Sequence, residues 1–183
     1  MLTWQLAPEQ WSCGERVGVL AVTLTVAMLC RSGFRACNRV MKETGGVGIV
    51  GLELIGSQKR AIPVLARWGR GLGWRAARWS LVIDFAFLAA YGLGLWTLAA
   101  IVASHGETRN WDWWANAIRV MGWGFALAAV LDFIENVALL SLLYGRAVGA
   151  MAKIAWTCAI IKFALLIVGA LLVLTTVVAF VGP

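Results

Sequence analysis

The chain has 183 residues, of which 61% are hydrophobic and only 14% are charged. This composition is more apolar than that of a soluble domain, so it predicts an integral membrane protein and excludes a separate soluble catalytic domain. The formal net charge of +7 would suggest nucleic acid in a soluble protein, but the basic residues crowd into one segment between apolar runs. This distribution favours membrane topology and lipid contact over nucleic-acid binding.

The first apolar run covers residues 17–30. A membrane-spanning helix needs about 20 apolar residues, so we expect the flanking turns to complete a first span. We place it at about residues 15–37. Residues 1–14 contain Glu9 and no lysine or arginine, so they lack the positive start of a signal peptide, and we expect this span to be retained.

A basic segment follows the first span. Residues 31–78 hold ten of the sixteen lysines and arginines, which the positive-inside rule places in the cytoplasm. The glycine-rich middle, residues 44–56, is not followed by a Gly-Lys-Ser/Thr sequence, which argues against a phosphate-binding loop. Residues 57–79 mix tryptophan and aliphatic residues with arginine, a pattern typical of a helix that lies in the membrane interface.

We expect this interfacial segment, about residues 38–79, to be broken near Pro63 and at the glycines of residues 69–73. Its tryptophans would lie at the level of the lipid headgroups, and its arginines would contact anionic headgroups. The predicted headgroup contacts are Arg60, Arg67, Arg70, Arg75 and Arg78.

Three further apolar runs are long enough to cross a bilayer. We place span two at about residues 80–104, span three at about 115–144 and span four at about 154–181. The predicted cytoplasmic segments then hold twelve of the sixteen basic residues and the outer segments three. The sequence therefore predicts an all-α bundle of four transmembrane helices in the cell inner membrane, with both termini on the outer side.

Span three carries the most informative stretch of the chain. At 100° per residue, Asp132, Glu135 and Asn136 lie on one face of one helix, inside an otherwise apolar run. An ionisable group in hydrocarbon costs about 2.5–3.5 kcal/mol even on the mildest scale. We therefore expect this face to look at protein or water rather than at lipid.

Two other spans place polar groups in the same half of the bilayer. These are Asp84 and Tyr91, on one face of span two, and Lys162, inside span four. Small residues beside Asp132 and Lys162 predict that spans three and four pack closely, with Lys162 against Asp132 or Glu135. We expect Asp84 to close the cluster or to reach Arg75 or Arg78. Three carboxyl groups then face one lysine, so either screening or protonation of a carboxyl is expected.

The cysteines and the single histidine predict no metal site and no cofactor. Cys13, Cys30, Cys37 and Cys158 contain no Cys-x-x-Cys pair, and His105 is the only histidine. This pattern lacks the ligand spacing of a zinc site, a dithiol redox pair or a haem site. We interpret the thiols as small apolar residues.

Two hypotheses about function follow from the polar cluster. The leading one is a non-enzymatic structural or accessory subunit, which self-associates or docks a partner in a larger membrane complex. The alternative is a proton-coupled carrier or a lipid-modifying enzyme that uses the same side chains. A cavity for a lipid or quinone headgroup is a further possibility. A partner protein should show a dry, fully paired cluster, whereas a carrier or enzyme should show a cavity that reaches it.

Overall fold

The computed structural model describes residues 7–181, with the side chains of residues 180 and 181 left aside. The chain is 88% helical, and no strand occurs in the described range. The helices are α1 (Cys13–Gly45), α2 (Ile49–Glu53), α3 (Gln58–Trp68), α4 (Leu72–Thr108), α5 (Asp112–Leu143) and α6 (Val148–Val181).

Four of these helices, α1, α4, α5 and α6, are long and apolar enough to cross a membrane. Large apolar side chains such as Leu29, Val120 and Leu171 are more than half exposed on their outer faces, as expected for surfaces that contact lipid. The predicted all-α fold with four membrane-competent helices packed together is thereby confirmed. The chain has the architecture of a multi-pass membrane protein.

The four long helices form a row. Helix α1 packs on α4, α4 on α5 and α5 on α6. The two outer members of the row, α1 and α6, do not pack against each other along their lengths. They leave a lengthwise opening, which we call the seam.

All four long helices begin before the predicted spans, and α1 and α4 extend furthest beyond them. Helix α1 continues to Gly45 rather than ending near residue 37, and α4 begins at Leu72 rather than near residue 80. Once nucleated, a helix gains one backbone hydrogen bond for each residue added, so it does not need to stop where the apolar run stops. Helix α1 is capped by the next residue, Gly46, whose left-handed φ of 79° suits glycine and whose N–H donates to the Lys42 carbonyl.

Helix α3 corrects one detail of the predicted interfacial segment. The expected break near Pro63 is wrong, because α3 passes through Pro63 without interruption. Its buried face, formed by Ala61, Val64 and Trp68, packs toward α1, α4 and α6, and Trp68 Nε1 donates to the Met41 carbonyl at 3.2 Å. This packing offsets the cost of about 3 kcal/mol that proline imposes on a helix interior. The expected break at the glycines lies between α3 and α4.

Apolar packing is divided between the two ends of the bundle. One core joins Met41, Trp68 and Leu139 at the end where the basic residues lie, which we call the basic end. A second core joins Ala103, Ile118 and other side chains at the opposite end. The polar side chains of α5 and α6 lie between these cores. The fold therefore surrounds a polar centre with apolar packing above and below it.

Candidate functional site

Lys162, near the middle of α6, lies at the centre of a buried polar group of side chains. Its Nζ atom is 2.6 Å from Asp132 Oδ1 and 2.7 Å from Glu135 Oε2. Lys162 is 5% exposed, Asp132 is 4% exposed and Glu135 is fully buried. One lysine can contact both carboxylates because positions three residues apart share a face of α5.

Two neutral hydrogen-bond donors complete the contacts of the aspartates. The Tyr91 hydroxyl donates to Asp132 Oδ2 at 2.8 Å, and Asn136 Nδ2 donates to Asp84 Oδ2 at 2.7 Å. Asp84 therefore pairs with Asn136 rather than with an arginine at the start of α4. The structure brings together all six side chains that the sequence singled out, here called the intramembrane cluster: Asp84, Tyr91, Asp132, Glu135, Asn136 and Lys162.

Sequence reasoning missed a fourth acidic side chain at this site, Glu53. This residue ends the short helix α2 and is only 6% exposed. Its carboxyl group lies close enough to the Glu135 carboxyl group for the two to interact electrostatically. The available signal was a lone acidic residue in the apolar, glycine-rich stretch of residues 44–56. That signal does not show that a five-residue helix folds back against α5 and α6.

Glu53 and Glu135 are two neighbouring, buried carboxyl groups, and this proximity favours a proton on Glu53. Neither oxygen of Glu135 accepts a well-aligned hydrogen bond from a side chain in the described range, although Lys162 Nζ is close to one of them. Burial, together with the negative charge of Glu135, raises the pKa of Glu53 to about 8. At neutral pH the Glu53 carboxyl thus carries a proton, which it can donate to Glu135.

A cavity of about 920 Å³ connects this cluster with the seam. This volume is at the upper end of the range of about 300–1,000 Å³ that is usual for small-molecule sites. Glu53, Asp84, Asp132 and Lys162 line its polar part. Its apolar part is lined mainly by α4 and α6, including Leu95, Leu98, Phe163, Leu166, Val173 and Val177.

The cavity is long and lies along the seam, where α1 and α6 do not pack against each other. From Lys162 to Val177 its wall follows α6 for about 22 Å, at 1.5 Å per residue. Leu174 and Val177 line it and are exposed. In a bilayer with a hydrocarbon core of about 30 Å, such an opening faces lipid chains rather than water.

Helix α1 contributes a polar face to the same cavity. Arg31, Phe34, Arg35 and Asn38 line it near the basic end, at the three- and four-residue spacing of one helix face. Sequence reasoning assigned Arg31 and Arg35 only to the general positive charge of the segment. These two arginines reach the cavity because of the way α1 packs against α4. The sequence pattern of α1 alone does not predict that packing.

The five arginines predicted to contact lipid headgroups lie elsewhere. Each of them is exposed, and none lines the cavity. Arg78 is 5.6 Å from the ring centroid of Trp74, a cation–π contact at the start of α4. Their exposure is compatible with headgroup contact, which stays a prediction for Arg60, Arg67, Arg70, Arg75 and Arg78.

No metal-binding constellation was found in the part of the chain that the structure describes. The four cysteines are free thiols, with Cys30 and Cys158 buried. The polar groups that line the cavity are carboxyl groups, basic side chains, the Asn38 amide and the hydroxyls of Tyr91 and Ser80.

Comparisons of this chain with protein-family models, with curated proteins and with solved structures found no match.

Proposed function

We propose that this protein binds a membrane lipid in the cavity at the seam, with the acyl chain along α6 and the polar part of the lipid near the intramembrane cluster. This proposal develops the cavity for a lipid headgroup considered in the sequence analysis, and it is compatible with the alternative given there, a proton-coupled carrier or a lipid-modifying enzyme. The observation that carries the proposal is one continuous cavity with a charged end and a long apolar wall.

The dimensions of the cavity support an acyl chain as occupant. Its apolar wall extends about 22 Å along α6, longer than one leaflet of a hydrocarbon core about 30 Å thick. The lateral opening would let a lipid enter from the bilayer without leaving the hydrocarbon.

The polar end supports a role in handling protons near the bound lipid. Glu53 and Glu135 are neighbouring carboxyl groups, and the raised pKa of Glu53, about 8, allows it to gain or lose a proton near neutral pH. Such a group can exchange protons with water at the basic end, or donate a hydrogen bond to a bound lipid while it is protonated. We assign Glu53 and Glu135 as the proton-carrying pair of the proposed site.

A structural or accessory subunit is the competing proposal. It is favoured by the many close pairs in the intramembrane cluster, which fix the register of α4, α5 and α6. A cavity beside those pairs is not needed for that role. We therefore rank lipid binding first and retain self-association, a location in the cell inner membrane and outward-facing termini as proposals.

Native mass spectrometry of the purified protein tests lipid binding. After exchange into a delipidating detergent, the unmodified protein should retain a lipid that survives gentle activation. Ala170 lines the cavity on α6, so Ala170→Trp should fill the cavity and abolish most of the retained lipid. Ala164 is an exposed residue of the same helix and does not line the cavity, so Ala164→Trp should leave retention unchanged.

Two results would contradict the proposal. One is the absence of retained lipid from the unmodified protein. The other is equal retention by Ala170→Trp and Ala164→Trp, which would place any bound lipid on the outer surface. Circular dichroism of both variants checks that the helices remain folded.

A further inference from the structure

Two arginines stand where the apolar part of α1 ends. Residues 17–30 contain no charged side chain, and Arg31 and Arg35 follow directly, one helical turn apart. Both line the cavity near the basic end. A lipid whose acyl chain follows α6 would therefore have its headgroup at the level of these two side chains.

Neither arginine forms an ion pair with a carboxylate in the described part of the chain. Its ion pairs within 4.0 Å involve only Lys162 and Arg119 as the basic partners. Asp132 contacts Lys162 and Tyr91, and Asp84 accepts a hydrogen bond from the neutral amide of Asn136. The two arginines therefore line the cavity without a carboxylate in ion-pair contact.

Glu53, the third acidic side chain that lines the cavity, does not provide a negative charge for the two arginines either. Burial raises the pKa of Glu53 to about 8, so Glu53 is mainly neutral at neutral pH.

Arginine is the side chain best suited to hold a phosphate, because its planar guanidinium group donates two parallel hydrogen bonds to neighbouring oxygens.

We infer that Arg31 and Arg35 form the headgroup site of the cavity and select a lipid with an anionic, phosphate-bearing headgroup that carries no compensating positive charge. This inference rests on the proposed lipid binding and specifies the class of lipid. This selection differs from the general attraction of basic residues to an anionic membrane. That attraction would involve every exposed basic residue, whereas the proposed selection depends on the two arginines that line the cavity.

The test is competition between two lipids with identical acyl chains. The protein is equilibrated in mixed micelles with equal amounts of phosphatidylglycerol and phosphatidylcholine, and the retained lipids are counted by native mass spectrometry. The unmodified protein should prefer phosphatidylglycerol by about tenfold, the scale of one charge-assisted hydrogen bond. The double variant Arg31→Gln, Arg35→Gln should retain both lipids nearly equally.

A charge-matched control uses the next basic residues of α1. Arg39 and Lys42 are exposed and do not line the cavity, so the double variant Arg39→Gln, Lys42→Gln should keep the preference. A third double variant, Arg31→Lys, Arg35→Lys, should keep part of it. If the glutamine double variant does not fold, the single variants Arg31→Gln and Arg35→Gln are compared with Arg39→Gln in the same way.

The outcomes separate this inference from the proposed function. Equal retention of the two lipids by the unmodified protein, or an equal loss of preference in the Arg39 and Lys42 control, would overturn the headgroup site and leave the lipid cavity intact. Failure of the unmodified protein to retain either lipid would overturn the proposed function itself.

Discussion

At the scale of single residues, Lys162 has the largest expected effect on stability. Its ammonium group contacts Asp132 and Glu135, and all three are almost inaccessible to solvent. Removing one member of a buried charge group leaves its partners uncompensated, at a cost of about 3–5 kcal/mol. Lys162→Met should therefore lower the midpoint of thermal unfolding in detergent by at least about 6 °C.

Lys153 provides a matched control for this variant. It is an exposed lysine on the same helix, so Lys153→Met should change the midpoint by less than about 2 °C. Adding Glu135→Gln to Lys162→Met should recover part of the loss by removing one unpaired charge. Similar losses for Lys162→Met and Lys153→Met would show that Lys162 does not stabilise the bundle through its carboxylate contacts.

Glu53 makes the stability of the protein depend on pH. Its pKa is raised from 4.5 to about 8. As pH rises from 4.5, the unfolded chain loses this proton first while the folded chain keeps it. The folded state therefore loses stability between about pH 4.5 and pH 8, and this contribution is constant above that range. Glu53→Gln should flatten the decrease and raise the unfolding midpoint at pH 8 by at least about 2 °C.

Unfolding midpoints measured at pH 5 and pH 8 distinguish the loss of the buried Glu53 carboxyl group from the loss of any one negative charge. Glu43 is an exposed glutamate on α1, and Glu43→Gln should shift the midpoints at pH 5 and pH 8 by similar amounts. The account of the carboxyl pair is wrong if Glu53→Gln behaves in the same way as Glu43→Gln.

At the scale of helices, the contact of α5 with α6 depends on small residues. Ala128 is fully buried on α5, and a Cβ atom added at Gly169 of α6 would come within 2.4 Å of the Phe125 ring. Ala128→Leu and Gly169→Leu should each destabilise the bundle by about 1–3 kcal/mol through overpacking. Ala164→Leu, at an exposed position, should remain within about 0.5 kcal/mol. Equal thermal stability of the three variants would show that α5 and α6 do not approach each other closely at Ala128 and Gly169.

The sequence predicted the helices better than their ends and better than the short connections. The hydrophobic runs gave the number and order of the long helices, because bilayer thickness imposes a minimum apolar length. The pattern also placed Lys162 beside Asp132 and Glu135, since their small neighbours mark the faces that meet. Glu53 could not be placed, because the direction in which α2 folds depends on packing against other helices. The seam likewise depends on which helices are neighbours in the bundle.

At the scale of the whole molecule, the basic residues predict its orientation in the membrane. Cys13 is exposed at the start of α1, and Cys37 is partly exposed near the opposite end of this helix. In intact spheroplasts, a membrane-impermeant maleimide should label Cys13, whereas Cys37 should react only after the membrane is opened. The buried Cys30 and Cys158 should react only after unfolding. Labelling of Cys37 before Cys13 would invert the predicted orientation.

In the proposed function, a lipid occupies the space between α1 and α6. An experimental structure of the protein crystallised from a lipidic mesophase tests it most directly. We predict elongated density along Phe163, Leu166 and Val173, with a headgroup near Arg31 and Arg35. A structure in which α1 packs directly against α6, and no space remains beside Lys162, would contradict the account.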